Sequence, residues 1–443
     1  MTRTFEYVPG LKAMFESKGW WHSFELPDGR RIDGVNSVDG LRKRIEVQTI
    51  PQDLSGARVL DIGAWDGWYS FEMERRGAQV LAIDCWDNPR FHQMRAALKS
   101  RVEYRQMDVY ELSPQTVGHF DIVLFMGVLY HLKHPLLALE KVCAITSGMA
   151  VVDSFILREE HLPGALVETR PVMEFYETDE FGGQTDNWCG PSLPCLMAMC
   201  RTAGFARVEH RATLPLGACI SCYRKWEPPS EQATAVPRLL EALHNTNYGI
   251  NFDSRRDDYV SALFQFPEGS VTRESVQPQV GEFGIRGIHV SSLESGAWQV
   301  NFKLPPGLEA GWHDVTVRVD GGPASNSKRI AVDLPTNTSE IKITAVSDGT
   351  TWHPNSLDLR KGNVLVLWVV GLPENADRAN VRVLLGGQRL PVVFAGAGQV
   401  NAEVPDDAPS ARFDVEIEMN GGARSAPMAI EISGVGGERT DHQ

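Results

Sequence analysis

Three aspartates and two glycines stand at matching places in the first third of the chain. In "VLDIGAWDGWYS" Asp61 closes a branched-aliphatic run, Gly63 follows, and Asp66 precedes an aromatic stretch that contains Tyr69. Asp84 closes the next apolar run, 21 residues after Gly63, with Cys85 and Trp86 behind it. Asp108 ends a third predicted strand, "VEYRQMDV", and is followed by Val109, while a fourth, "FDIVLFMGVLYHL", reaches Met126-Gly127 and continues into Tyr130 and His131. A carboxylate at the second strand end suits the two hydroxyls of a ribose. An acid beside the Val109 amide suits an adenine edge, and a glycine turn bares the backbone where a ligand approaches. The turn is not G-x-G-x-x-G, because Trp65 and Trp68 stand where small residues are required, and no G-x-x-x-x-G-K-[ST] occurs. A nucleoside carrying an amino acid fits better than one carrying phosphates, and S-adenosylmethionine is such a ligand. The competing reading makes Asp61, Asp84 and Asp108 simple strand-end caps.

Methyl transfer from a sulfonium is an in-line displacement, so the chain's work would be positioning. A hydroxyl acceptor must lose a proton, and His131, with Tyr130 before it, is the candidate base at the same edge. The alternative is that His131 orders the loop. "GWWHSFEL" gathers Trp21 and His22 ahead of the first strand, either as a lid over the acceptor or as an apolar plug. The segment from Arg158 to Pro191 is longer than a connection requires, which makes Arg158, Arg170, Glu177, Asn187 and Trp188 acceptor candidates. The pair Cys219 and Cys222 falls inside a predicted strand and would point to opposite faces, so no metal site is expected.

The elements that must position these residues alternate between strand and helix from Arg58 to about Lys225. That pattern predicts an α/β, Rossmann-like, doubly wound sheet of seven mostly parallel strands, with the last two as a hairpin at one edge. The first domain is placed at 1–227. A Pro- and Ser-rich break opens a linker at 228–255, in which "RLLEALHN" reads as a short helix. Two all-β repeats follow at 256–335 and 336–435, with a disordered tail at 436–443. "QVNFKLPPG" and "QVNAEVPDD" start 100 residues apart, at Gln299 and Gln399, and Asp314/Asp414 and Ser325/Ser425 keep that spacing. The repeats resemble bacterial immunoglobulin-like sandwiches. They serve either as a docking arm or as a spacer or dimer scaffold.

The 443 residues carry a net charge of −14, and both halves share the excess of acids, which disfavours a nucleic-acid footprint. No leader or membrane segment is read, and seven cysteines fit a reducing cytoplasm better than a disulfide framework. On the motifs above, the chain over about Leu41–Lys225 resembles class I S-adenosylmethionine-dependent methyltransferases. "FDIVLFMGVLYHLKHPLLAL" is similar to the branch holding the tRNA wobble-uridine carboxymethyltransferase and glycosyltransferase-associated relatives. The resemblance implies a cofactor site at Gly63, Asp84, Val109, Met126 and Tyr130, with Lys43 from the N-terminal extension. The branch reads a donor carboxylate with an Arg at a place where this chain has Leu216-Gly217, which favours plain methyl transfer. The expected acceptor is a hydroxyl of a small molecule or saccharide. The alternatives are a tRNA-modifying transferase and a non-catalytic binding protein that uses the β tail, the tail being also a candidate homo-oligomer contact.

Overall fold

A computed structural model describes residues 19–434, apart from 160, 162, 216, 231–234, 268, 337, 339, 397 and 421. The first residues of domain one, Leu216, part of the 228–255 linker and the tail at 436–443 therefore fall partly or wholly outside the described residues.

The first domain is built around strands β1 (Arg58–Ile62), β2 (Gln79–Asp84), β3 (Glu103–Gln106), β4 (Phe120–Met126), β5 (Thr146–Ser154), β6 (Arg207–Leu214) and β7 (Gly217–Tyr223). They hydrogen-bond in the order β6-β7-β5-β4-β1-β2-β3. β1 to β5 run parallel, whereas β7 is antiparallel to both β5 and β6 and makes the edge hairpin. Side-chain alternation gives each face its own core. Leu60, Ile62, Val123 and Phe125 pack with helices at Pro135–Ile145 and Leu193–Thr202, while Val59, Ala82, Ile122 and Leu124 pack with helices at Val38–Val47 and Trp68–Arg75. Cys222 belongs to the first core and Cys219 to the second, on opposite faces of β7.

The helix expected over "RLLEALHN" is instead a strand, Arg238–His244, paired antiparallel with Tyr259–Gln265. A register shift between Leu239 and Glu241 adds one residue to the strand, so Leu239, Ala242 and His244 are the buried positions. That three-then-two spacing imitates a helical period. The first β unit therefore begins at Arg238, not at 256.

Each repeat folds as a four-stranded and a five-stranded sheet over one apolar core. The duplication extends to single atoms. Ser325 Oγ accepts from the Val317 amide and Ser425 Oγ from the Ile417 amide, both at 3.0 Å. Gln299 Nε2 donates to Asn301 Oδ1 at 2.9 Å, and Gln399 to Asn401 at 2.8 Å.

The first unit is seated on the strand-start end of the first domain. Arg224, fully buried just past β7, donates to Pro306 O at 2.6 Å and to Cys143 Sγ at 2.8 Å, with its guanidinium 3.9 Å from the Phe283 ring centre. A Cβ on Gly307 would come within 2.0 Å of Ala144 O. Between the two β units Asn251 Nδ2 donates to the Asn375 carbonyl and Asn375 Nδ2 to Asn251 Oδ1, both at 2.8 Å, and Asp377 accepts from the Ile250 amide at 2.6 Å.

Candidate functional site

The carboxyl ends of β1, β2 and β4 meet at one crevice. Gly63 turns the chain there with φ 73°, and a Cβ on it would lie 2.4 Å from Val128 Cγ2, so a side chain is excluded. The next turn donates the Trp65 amide to Asp84 Oδ2 at 3.0 Å, and the Trp86 amide reaches Asp84 Oδ1 at 3.1 Å. The Asp84 carboxyl is buried, and burial raises its pKa against the opposing pull of those amides. Each of its oxygens retains acceptor capacity beyond one amide. Asp61 is deeper. Ser70 Oγ donates to it at 2.6 Å, and burial pushes its pKa up to about 6. Trp65 and Trp86 bring their ring centres to 5.4 Å, with Trp86 and Cys85 exposed at the mouth. Asp108 does cap the short turn Val109–Glu111, accepting from the Tyr110 amide at 2.9 Å, while Val109 is buried. Gly127 has φ 73°, and the Tyr130 hydroxyl stands 3.7 Å from where its Cβ would be.

The cation expected at this edge was Lys43, and here the structure differs. Lys43 is exposed, while Arg44, one residue on and about 100° round the helix, turns inward. Arg44 Nε bonds Asp153 Oδ2 at 3.0 Å and Nη2 bonds both carboxylate oxygens at 2.8 Å. Nη1 makes no protein hydrogen bond among the described residues. Nearby, the buried hydroxyl of Tyr69 also lacks a protein partner among the described residues. Burial raises the pKa of Tyr69, Tyr130 and Cys219, and the Arg44–Asp153 pair lies close enough to act on each, Asp153 raising it and Arg44 lowering it. Sequence reasoning passed over Arg44 and Asp153. The available signal was the buried stripe Leu41, Ile45, Gln48, on which Arg44 rather than Lys43 borders.

Asp66 also departs from its expected role. It is fully buried, and its Oδ2 accepts the amides of Trp21 and His22, both at 3.0 Å, while Oδ1 meets His22 Nδ1. The carboxylate therefore ties the N-terminal segment to the glycine turn instead of facing the crevice. His22 lies edge-on to Tyr69, with ring centres 5.5 Å apart.

On the acceptor side, His131 Nδ1 lies 3.1 Å from the Asp186 carbonyl oxygen. A carbonyl only accepts, so Nδ1 carries the proton and Nε2 keeps its lone pair. Burial lowers the imidazole pKa, against the pull of Asp186. The Trp188 amide donates to Tyr130 O at 2.8 Å, and Lys133 Nζ lies 4.2 Å from the centre of the Trp188 ring. The long segment has a small core of its own, Phe155, Leu157, Val167, Tyr176 and Phe181, against which Tyr130 packs. His131, Tyr130 and Trp188 are thus brought together. Arg158 instead donates to Leu214 O and braces β6, and Arg170 and Glu177 are exposed on the insertion. Asn187 is buried and donates to Phe181 O, so it holds the segment's own fold.

Residues 60–147 match the family model for a methyltransferase domain, and this match, with the relatives below, marks the first domain as that of an S-adenosylmethionine-dependent methyltransferase. The chain is 32% identical over 167 residues to the tRNA U34 carboxymethyltransferase of Pseudomonas syringae pv. tomato, covering 35% of this chain and 48% of that protein. It is 34% identical over 131 residues to the ubiquinone biosynthesis O-methyltransferase of Xanthomonas oryzae pv. oryzae, covering 28% and 50%. The chain spans about half the length of the curated relatives it matches. Among solved structures, the N-terminal domain of EvdMO1, crystallised in the presence of SAH and D-fucose, is 21% identical with a TM-score of 0.34, covering 50% of this chain and 98% of that one. No described helix is long and apolar enough to cross a membrane.

Proposed function

We propose that the whole chain transfers a methyl group from S-adenosylmethionine to a hydroxyl of a small molecule or saccharide. The observation that carries this reading is the crevice itself. Two bare glycine turns, the raised Asp84 carboxyl and the orphaned Tyr69 hydroxyl converge with Arg44 at the carboxyl edge of one sheet. These groups match a ligand with a diol at one end and an amino acid at the other. The cofactor supplies an electrophilic methyl as a sulfonium. Asp84 would take the ribose hydroxyls, the Asp108–Val109 turn the adenine, and Arg44 Nη1 the methionine carboxylate. His131 Nε2 would take the acceptor's proton, and Trp188 with Tyr130 would shape the acceptor side. The tail is read as two immunoglobulin-like units, on the strength of its paired four- and five-stranded sheets.

A carboxymethyl donor and a tRNA acceptor form the second reading, suggested by the first relative above, and the acidic charge weighs against it. The test is calorimetric titration of the full chain with S-adenosylmethionine and S-adenosylhomocysteine, repeated on Asp84→Ala. Micromolar binding of both ligands that weakens at least tenfold, about 1.4 kcal/mol, in the variant supports the site. Unchanged affinity in Asp84→Ala would sink it.

A further inference from the structure

We propose that the outer face of the four-stranded sheet in the second β unit is a binding platform for a neutral saccharide. That sheet orders its strands Lys342–Asp348, Val364–Val370, Gln399–Glu403 and Val392–Gly396. Trp368 pairs with Gln399, and Asn401 pairs with Phe394, so these four side chains share one face. The face is the one away from the core, because the alternate residues Leu367, Val400 and Ala402 are buried in it. Trp368 and Phe394 stand on either side of the hydrogen-bonded Gln399–Asn401 amide pair and remain 40% and 46% exposed. Val370, beyond Trp368, is 62% exposed. Gly396, opposite Gln399, adds no side chain to this face; a Cβ there would lie 3.5 Å from Ala376 O and 4.0 Å from Phe394 Cζ.

The first unit is an internal control, since it has the same strands in the same order and the same bonded amide pair, Gln299 and Asn301. There the residue paired with Gln299 is Leu263 and the residue paired with Asn301 on the other side is His289. The counterpart of Val370 is Gln265. The fold therefore does not require Trp368, Phe394 or Val370 on this face, and exposing all three to water is unfavourable unless something covers them. Charge selects the occupant. Between Val364 and Val370, and at Gln399 and Asn401, the outward positions are uncharged in a chain of net charge −14. Lys342 and Glu403 share the face only at its rim, opposite Val370 and Val364, so an ionic ligand finds no partner between Trp368 and Phe394. A neutral polyol finds aromatic faces for its C–H surfaces and an amide pair that donates and accepts for its hydroxyls.

The test is native electrophoresis of the full chain through gels containing dextran, laminarin, galactomannan or xylan. It is paired with the triple variant Trp368→Leu, Val370→Gln, Phe394→His, which copies the first unit's residues and so preserves the fold. Retardation in at least one neutral polysaccharide, weakened tenfold or more in the variant, is the expected result. Retardation in none of them, or equal retardation of the variant, overturns the proposal. So does a concentration-dependent dimer in sedimentation that the variant abolishes, because a second copy would then be the occupant. None of these readouts depends on cofactor binding, so the platform and the methyl-transfer reading stand or fall separately.

Discussion

At the scale of single residues, the site is a matter of which protons are held where. His131 is kept neutral by burial, and its Nδ1 proton is directed to a backbone carbonyl, so Nε2 is the one lone pair left for chemistry. Because its pKa is lowered, the neutral form persists below the usual imidazole value of about 6.5, and the acidic limb of the rate profile should lie beneath that pH. His131→Gln should cost about 10²- to 10⁴-fold in kcat and leave S-adenosylmethionine affinity intact. A rate profile on a hydroxyl acceptor, wild type against variant, checks both statements. An unaltered kcat would remove His131 from the chemistry. The strand-end acids were legible because Asp61 and Asp84 close apolar runs and Asp108 follows the next predicted strand in the same alternation. The choice between Lys43 and Arg44 was not, since adjacent residues differ only in which side of a helix they occupy.

At the scale of elements, Asp66 joins two segments distant in sequence. Asp66→Ala strands two backbone amides and the His22 ring in a buried place, and should lower stability by about 2–4 kcal/mol. Urea unfolding would measure the loss, and accelerated proteolytic cleavage near residues 19–26 would localise it. Full stability in the variant would show that the segment is held by its apolar contacts, Phe24 with Phe71 among them. The strand at Arg238–His244 shows the opposite side of element reading. Leu, Glu and Ala are good helix formers, and the bulge spaced its buried residues as a helix would. The ladder to Tyr259–Gln265 overrides that local preference by pairing one edge of the strand in a sheet that buries Leu239 and Ala242.

At the scale of the molecule, the first β unit is fastened to the methyltransferase domain at the end of the sheet opposite the crevice. His119 Nε2 lies 3.1 Å from Gly307 O, and both His119 and Ala144 precede strands whose other ends form the site. Gly307 combines φ 80° with a contact that admits no Cβ. Gly307→Ala should therefore unseat the unit, and a calorimetric scan should show one cooperative transition in the native chain separating into two. Cofactor affinity should change by less than twofold, because the seam lies away from the crevice. A single undivided transition in the variant would mean that Arg224 and its partners hold the seam without Gly307.

The sequence by itself determined the alternating strands, the acids at their ends, the glycine turn and the 100-residue duplication, because each is written in local periodicity and residue type. It did not determine which cation faces the crevice, what Asp66 binds, where the first β unit begins or how that unit is seated. Those depend on helix rotation, on a bulge, and on contacts between residues tens to hundreds of positions apart. Only the packed chain brings such residues to one place, and there burial decides which polar groups must be paired.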